Sequence, residues 1–90
     1  MNSVWKIEYE GRAQKQLKKL DRTAATRLVR TLQDDLARTS DPRATGKALM
    51  GELSGFWRYR VGDYRAIARI EDQVVTVFII EVAHRREVYR

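Results

Sequence analysis

The dipeptide Gly62-Asp63 constrains this chain more than any other feature of its sequence. It separates two runs, residues 56–61 and 64–70, that alternate apolar or aromatic residues with charged ones. A two-residue hairpin loop with glycine first suits a type II′ turn, and such a turn sets the register of the strands it joins. Val61 then faces Tyr64, Arg60 faces Arg65, Tyr59 faces Ala66, Arg58 faces Ile67, Trp57 faces Ala68 and Phe56 faces Arg69. Side chains alternate across a strand, so two sets separate. One holds Trp57, Tyr59, Val61, Tyr64, Ala66, Ala68 and Ile70, aromatics set against small residues, as suits a face that receives helices. The other holds Phe56, Arg58, Arg60, Arg65, Ile67 and Arg69. Arg60 directly opposite Arg65 is a like-charge arrangement that destabilises a strand pair. Phosphate oxygens would account for it, because a guanidinium presents a planar fork of donors. The plainer alternative is that these arginines are solvated or pair with Glu71, Asp72 and Glu81.

The rest of the chain supplies the layer that covers the apolar face. Residues 4–9 alternate in the manner of a short strand. Ala13, Leu17 and Leu20 recur at helical spacing, and Asp21 is placed to cap a second helix whose stripe is Ala25, Leu28, Val29, Leu32 and Leu36. That helix should end near Thr39, since Ser40-Asp41-Pro42 is a turn cluster with a proline. Residues 40–55, with Pro42, Gly46, Gly51 and Gly55, read as a loop. A further strand is expected over 74–82, after a turn near Asp72. The expected fold is α+β: an N-terminal strand, a two-helix antiparallel hairpin, then a three-stranded antiparallel meander, with the helices packed on one sheet face. Residues 1–90 form one domain in this reading.

Composition narrows the chemistry. The chain has 18 Lys and Arg against 12 Asp and Glu, a formal charge of +6, which favours polyanionic partners. Leu, Ile, Val and Phe fill 22 of 90 positions, enough for a core but not for a deep cofactor cavity besides. With no cysteine and one histidine, thiolate and multi-histidine metal sites are excluded, and no cofactor or metal is expected. There is no apolar leader and no window long enough to span a bilayer, so no membrane partner and a cytoplasmic location are expected. If the final strand turns back tightly, it ends beside Gly62-Asp63, and His84, Arg85 and Arg86 arrive near Arg60 and Arg65, with Tyr89 close by.

Three stretches then carry a family resemblance over essentially the whole chain. Lys47-Ala48-Leu49 followed by Gly51, the run from Arg58 through Gly62-Asp63-Tyr64-Arg65, and His84-Arg85-Arg86-Glu87-Val88-Tyr89 resemble the RelE/ParE superfamily of bacterial type II toxins. The likeness is greatest to the RelE-type ribosome-dependent mRNA interferases. It implies a RelE-like fold and an endoribonuclease that cuts mRNA in the ribosomal A site by attack of a 2′-OH on the adjacent phosphate. It implies a cognate antitoxin, RelB-like or other, in a hetero-oligomer, with the ribosome and mRNA as further partners. Carried over by position, Arg58, Arg60, Arg65, Arg85 and Tyr89 are the candidate catalytic residues, and Lys47, His84 and Arg86 the candidate substrate contacts. Arg60 stands where several relatives have a lysine and cannot act as a base near neutral pH. Tyr89 and His84 are the candidates for that role, Tyr89 being favoured by its match to the family position. Two other readings compete: a ParE-like toxin that inhibits DNA gyrase without nuclease chemistry, and a non-catalytic nucleic-acid-binding module. The first carries no expectation of Arg85 and Tyr89, and the second leaves Tyr89 unexplained.

Overall fold

A computed structural model describes residues 5–84. Strand β1 (Lys6–Tyr9) leads into helix α1 (Gly11–Lys19), which buries Ala13 and half-buries Leu17. Helix α2 (Arg22–Ala37) follows after one turn of the chain. The Asp21 side chain caps it as its position suggested, accepting from the Ala24 amide at 3.2 Å. Leu28, Leu32 and Leu36, one helical turn apart, are the residues α2 buries fully. Ala25 and Val29 on the same stripe are half-buried.

Residues 40–55 depart from the loop expected of them. Asp41 caps a four-residue helix α3 (Pro42–Thr45), accepting from the Arg43 amide at 3.1 Å, with proline at the first helical turn, where its missing amide costs nothing. Strand β2 (Lys47–Ala48) and a 3₁₀ turn (Gly51–Leu53) come next. Elements this short have too few residues to show a period, which is why the sequence reads as loop.

Strands β3 (Trp57–Val61), β4 (Tyr64–Glu71) and β5 (Thr76–His84) form the expected meander. They sit in a five-stranded sheet of order β1-β5-β4-β3-β2, in which β1 runs parallel to β5 and every other pair is antiparallel. The β3–β4 register is the one dictated by the turn, from Val61 with Tyr64 to Trp57 with Ala68. Gly62 takes φ +58° while Asp63 keeps a negative φ, the signature of a type II′ turn. The last strand begins two residues later than expected. Asp72–Val74 form a 3₁₀ turn, and Val75 takes a left-handed conformation, φ 48° and ψ 50°, before the strand can start.

The core lies between the helices and one face of the sheet. Tyr59 opposite Ala66 and Trp57 opposite Ala68 place bulky rings beside small residues, and Leu28, Leu32, Val77 and Ile79 fill the space above. Among the described residues, no helix is long and apolar enough to cross a membrane.

Candidate functional site

The sheet face turned away from the helices carries the arginines. Its cross-strand rows follow from the pairings. Lys47, Arg58, Ile67 and Glu81 make one row, Arg60, Arg65 and Ala83 the next. Toward the other end come Arg69, Phe78 and Glu8. Lys47 and Arg60 are exposed and Arg58 half-buried, whereas Arg65 is only 4% exposed. Arg60 and Arg65 are direct partners, as the register required.

The face divides into two electrostatic halves. Near the Gly62-Asp63 turn, Lys47, Arg58 and Arg60 form no ion pair among the described residues. At the opposite end Arg69 is fully engaged. Its guanidinium donates to Glu71 at 2.7 Å and to Glu10 at 3.0 Å, and stands 4.8 Å from the centroid of the Phe78 ring. The bond to Glu10, and then that to Glu71, raises the Arg69 pKa, so it stays charged and neutralised. Glu81 lies 3.8 Å from Arg12 of α1 rather than against the arginines of the face. Asp72 makes a bidentate pair with Arg43, at 2.7 and 3.0 Å, off this face altogether.

What remains near the turn on this face is a row of cations with guanidinium forks, while His84, the described imidazole at this end of the sheet, stands on the other face beside Tyr64. Burial pushes Tyr9 and Tyr59 up to about 12, and both lie on the helix-packed face. Such a surface can hold phosphates and stabilise negative charge that develops on them.

Comparison with known proteins identifies the family and the fold. The family model described as the ParE toxin of type II toxin-antitoxin systems, parDE, matches residues 7–89. The chain belongs to the RelE/ParE superfamily of type II toxins. Toxin RelG of Mycobacterium tuberculosis is 36% identical over 84 residues, covering 93% of this chain and 94% of RelG. The toxin-antitoxin complex RelBE2 of the same organism contains a chain of 34% identity. It superposes with a TM-score of 0.81 over 90% of this toxin and 98% of that chain. The isolated E. coli RelE toxin, at 26% identity, gives 0.69 over 90% and 84%.

Within this RelE/ParE toxin, the structure brings together Arg58, Arg60, Arg65 and Lys47. Lys47 is the residue whose place the sequence left least defined, and its pairing with Arg58 sets it in the cationic row. Arg69 leaves the set, because Glu71, two residues along the same strand face, and Glu10 neutralise it. The Glu71 pairing was the plainer alternative available from sequence.

His84 is the main displacement. It does arrive at the turn end of the sheet, opposite Tyr64, but on the helix-packed side, with its ring edge-on to Tyr64 at 5.3 Å between centroids. The cause is a β-bulge. The pairing shifts between Ile67 with Glu81 and Ala68 with Ile79, leaving Ile80 as an extra residue and inverting the alternation beyond it. Strict alternation from Val77 and Ile79 would have buried Glu81 and Ala83 against the helices. The bulge buries Val82 there instead and carries His84 to the same side, away from Arg60 and Arg65. Arg85, Arg86 and Tyr89 lie outside the described residues.

Proposed function

We propose that this toxin is an endoribonuclease that cleaves mRNA in the ribosomal A site and is held inactive by a cognate antitoxin. The observation that carries the reading is the row of Lys47, Arg58 and Arg60, without an ion pair among the described residues, beside Arg65 on a face whose Arg69 is fully paired. A chain whose purpose was only solubility would have no reason to keep Arg60 opposite Arg65. The 36% identity to RelG and the likeness to E. coli RelE support placing it on the RelE side of the superfamily.

In the proposed reaction the arginines bind the scissile phosphate and the 2′-oxygen attacks phosphorus. A cyclic phosphate forms, the 5′-oxygen departs and takes a proton, and the proton of the 2′-OH passes to a base. Arg58, Arg60, Arg65 and Arg85 stabilise the charge that builds on the phosphoryl oxygens. Tyr89, which matches the family's C-terminal tyrosine by position, is the base. The position of His84 behind the sheet favours Tyr89 over it. Lys47 and Arg86 grip flanking phosphates, and His84 reaches RNA only at the turn end of the sheet. RelBE2 of Mycobacterium tuberculosis is a toxin-antitoxin complex, which supports a protein antitoxin here too. Its acidic side chains would meet Arg58 and Arg60 in a hetero-oligomer formed in the cytoplasm.

The matching family model is that of ParE, so a gyrase-inhibiting toxin without nuclease chemistry is the second reading. One experiment separates them. Wild type and an Arg85→Ala/Tyr89→Ala variant are induced in bacteria and new mRNA 5′ ends are mapped. Codon-phased cuts in translated regions, absent from the variant, establish the nuclease. Growth arrest with intact mRNA and a DNA-damage response overturns it in favour of gyrase.

A further inference from the structure

Strand β2 joins the sheet through two pairings, Lys47 with Arg58 and Ala48 with Trp57, continued by one bond from the Leu49 amide to the Phe56 carbonyl at 3.0 Å. So short a strand does not hold itself in place, yet it decides whether Lys47 lines up with Arg58. The segment before it is fastened from three sides. The Tyr59 hydroxyl donates to the Pro42 carbonyl at 2.8 Å, the Trp5 indole donates to the Ser40 carbonyl at 3.1 Å, and Arg43 grips Asp72. Gly46 stands between these anchors and Lys47. Its φ of −93° and ψ of −173° are open to any residue, so the backbone does not call for glycine. Space does. A Cβ at Gly46 would lie 2.9 Å from Tyr59 Cε1, 3.1 Å from Cζ and 3.2 Å from the Arg58 carbonyl oxygen. The Tyr59 ring is 3% exposed and packed in the core, where it has no room to yield.

We infer that the close approach of Gly46 to the Tyr59 ring is a positioning device for substrate. Tyr59 works from the helix-packed side of the sheet and never meets RNA. By holding the Pro42 carbonyl and leaving Gly46 no space for a Cβ beside its ring, it sets Lys47 across from Arg58, so that a third strand adds its charge to the row. This inference rests on the RNA-binding reading above.

The test uses the full-length toxin and a 2′-O-methyl RNA oligonucleotide, which cannot be cleaved because the attacking hydroxyl is blocked. On single strands the slope of log affinity against log salt falls by about 0.7 for each phosphate the protein no longer neutralises. Lys47→Ala should lower the slope by about 0.7 and Lys47→Arg should leave it unchanged. Gly46→Ala, which changes no charge, should lower it by the same amount, and adding Lys47→Ala to it should have no further effect. Tyr59→Phe keeps the ring and drops the bond to Pro42, and should show a smaller fall in the same direction. A merely structural role would lower the unfolding temperature and leave the slope alone. Full slope in folded Gly46→Ala and Tyr59→Phe, with a reduced slope in Lys47→Ala, overturns the inference. No change in either Lys47→Ala or Arg58→Ala strikes the RNA-binding reading instead. If Gly46→Ala does not fold, the slope of Tyr59→Phe decides.

Discussion

Arg65 and Arg69 sit on the same strand and the same face, four residues apart, and have opposite circumstances. Arg69 has two carboxylates and an aromatic ring around it, each placed by a different part of the chain: Glu71 by β4, Glu10 by the β1–α1 junction and Phe78 by β5. Arg65 is paired across the sheet with another arginine and, on its other side, with Ala83. The first arrangement uses its charge inside the protein. The second leaves a neighbouring cation, Arg60, with no ion pair among the described residues. One sheet face therefore holds an end whose arginine is neutralised within the protein and an end whose Lys47, Arg58 and Arg60 make no ion pair among the described residues, and the type of residue alone does not tell them apart.

That contrast can be broken in several ways. The largest effect is expected from Arg65→Ala, which should lower the rate of RNA cleavage by about 100- to 1,000-fold, as loss of one oxyanion-stabilising donor does. Arg69→Ala should cleave as the wild type does. A folded Arg69→Ala toxin with an equal loss of activity would show that the two halves are not separate.

Stability should respond in the reverse sense. Arg69→Ala removes half-exposed ion pairs and a cation–ring interaction, so the toxin should be destabilised by about 1 kcal/mol after allowance for solvent screening. In a domain of this size that is a fall of roughly 4–8 °C in the thermal midpoint, readable by circular dichroism. Arg60→Ala relieves the like-charge pairing and should raise stability by about 0.2–1 kcal/mol while weakening binding to RNA. A variant that is more stable and less active marks a residue kept for function. If Arg60→Ala lost stability, the cation row would have to be counted as part of the fold.

The smallest effect concerns pH. Hydrogen bonds from Arg43 hold the Asp72 carboxyl below its ordinary 3.8. A folded-state pKa lowered in this way gives a contribution that is complete above the unfolded value and is lost as pH falls through the folded one. Wild-type stability should therefore carry a small extra acid sensitivity below about pH 3.8. Asp72→Asn should lack it, which parallel thermal melts across that range would reveal, and an unchanged acid limb in Asp72→Asn would show that the clamp on α3 adds nothing to stability.

Much of this protein follows from local rules. Gly62 can adopt a positive φ at no steric cost, so Gly62-Asp63 determines the turn, the turn determines the register, and the register determines that Arg58, Arg60 and Arg65 share a face. The spacing of Leu28, Leu32 and Leu36 likewise determines which side of α2 meets the sheet. These are properties of near neighbours along the chain, and they need no knowledge of what lies across the core. The tertiary structure alone decided the rest. Arg69 meets Glu71 two residues along its own strand, but its second carboxylate, Glu10, reaches it only because β1 pairs in parallel with β5. Whether His84 faces the arginines depends on one bulged residue, Ile80, whose insertion lets Val82 reach the core and turns the end of β5 over. Lys47 reaches the row of Arg58 through the pairing of β2 with β3, next to a Gly46 that packs against a tyrosine in the core on the opposite side of the sheet. A side chain's charge is written in the sequence, but its neutralisation and its direction are set by partners far away in the chain, and those are fixed only when the layers pack.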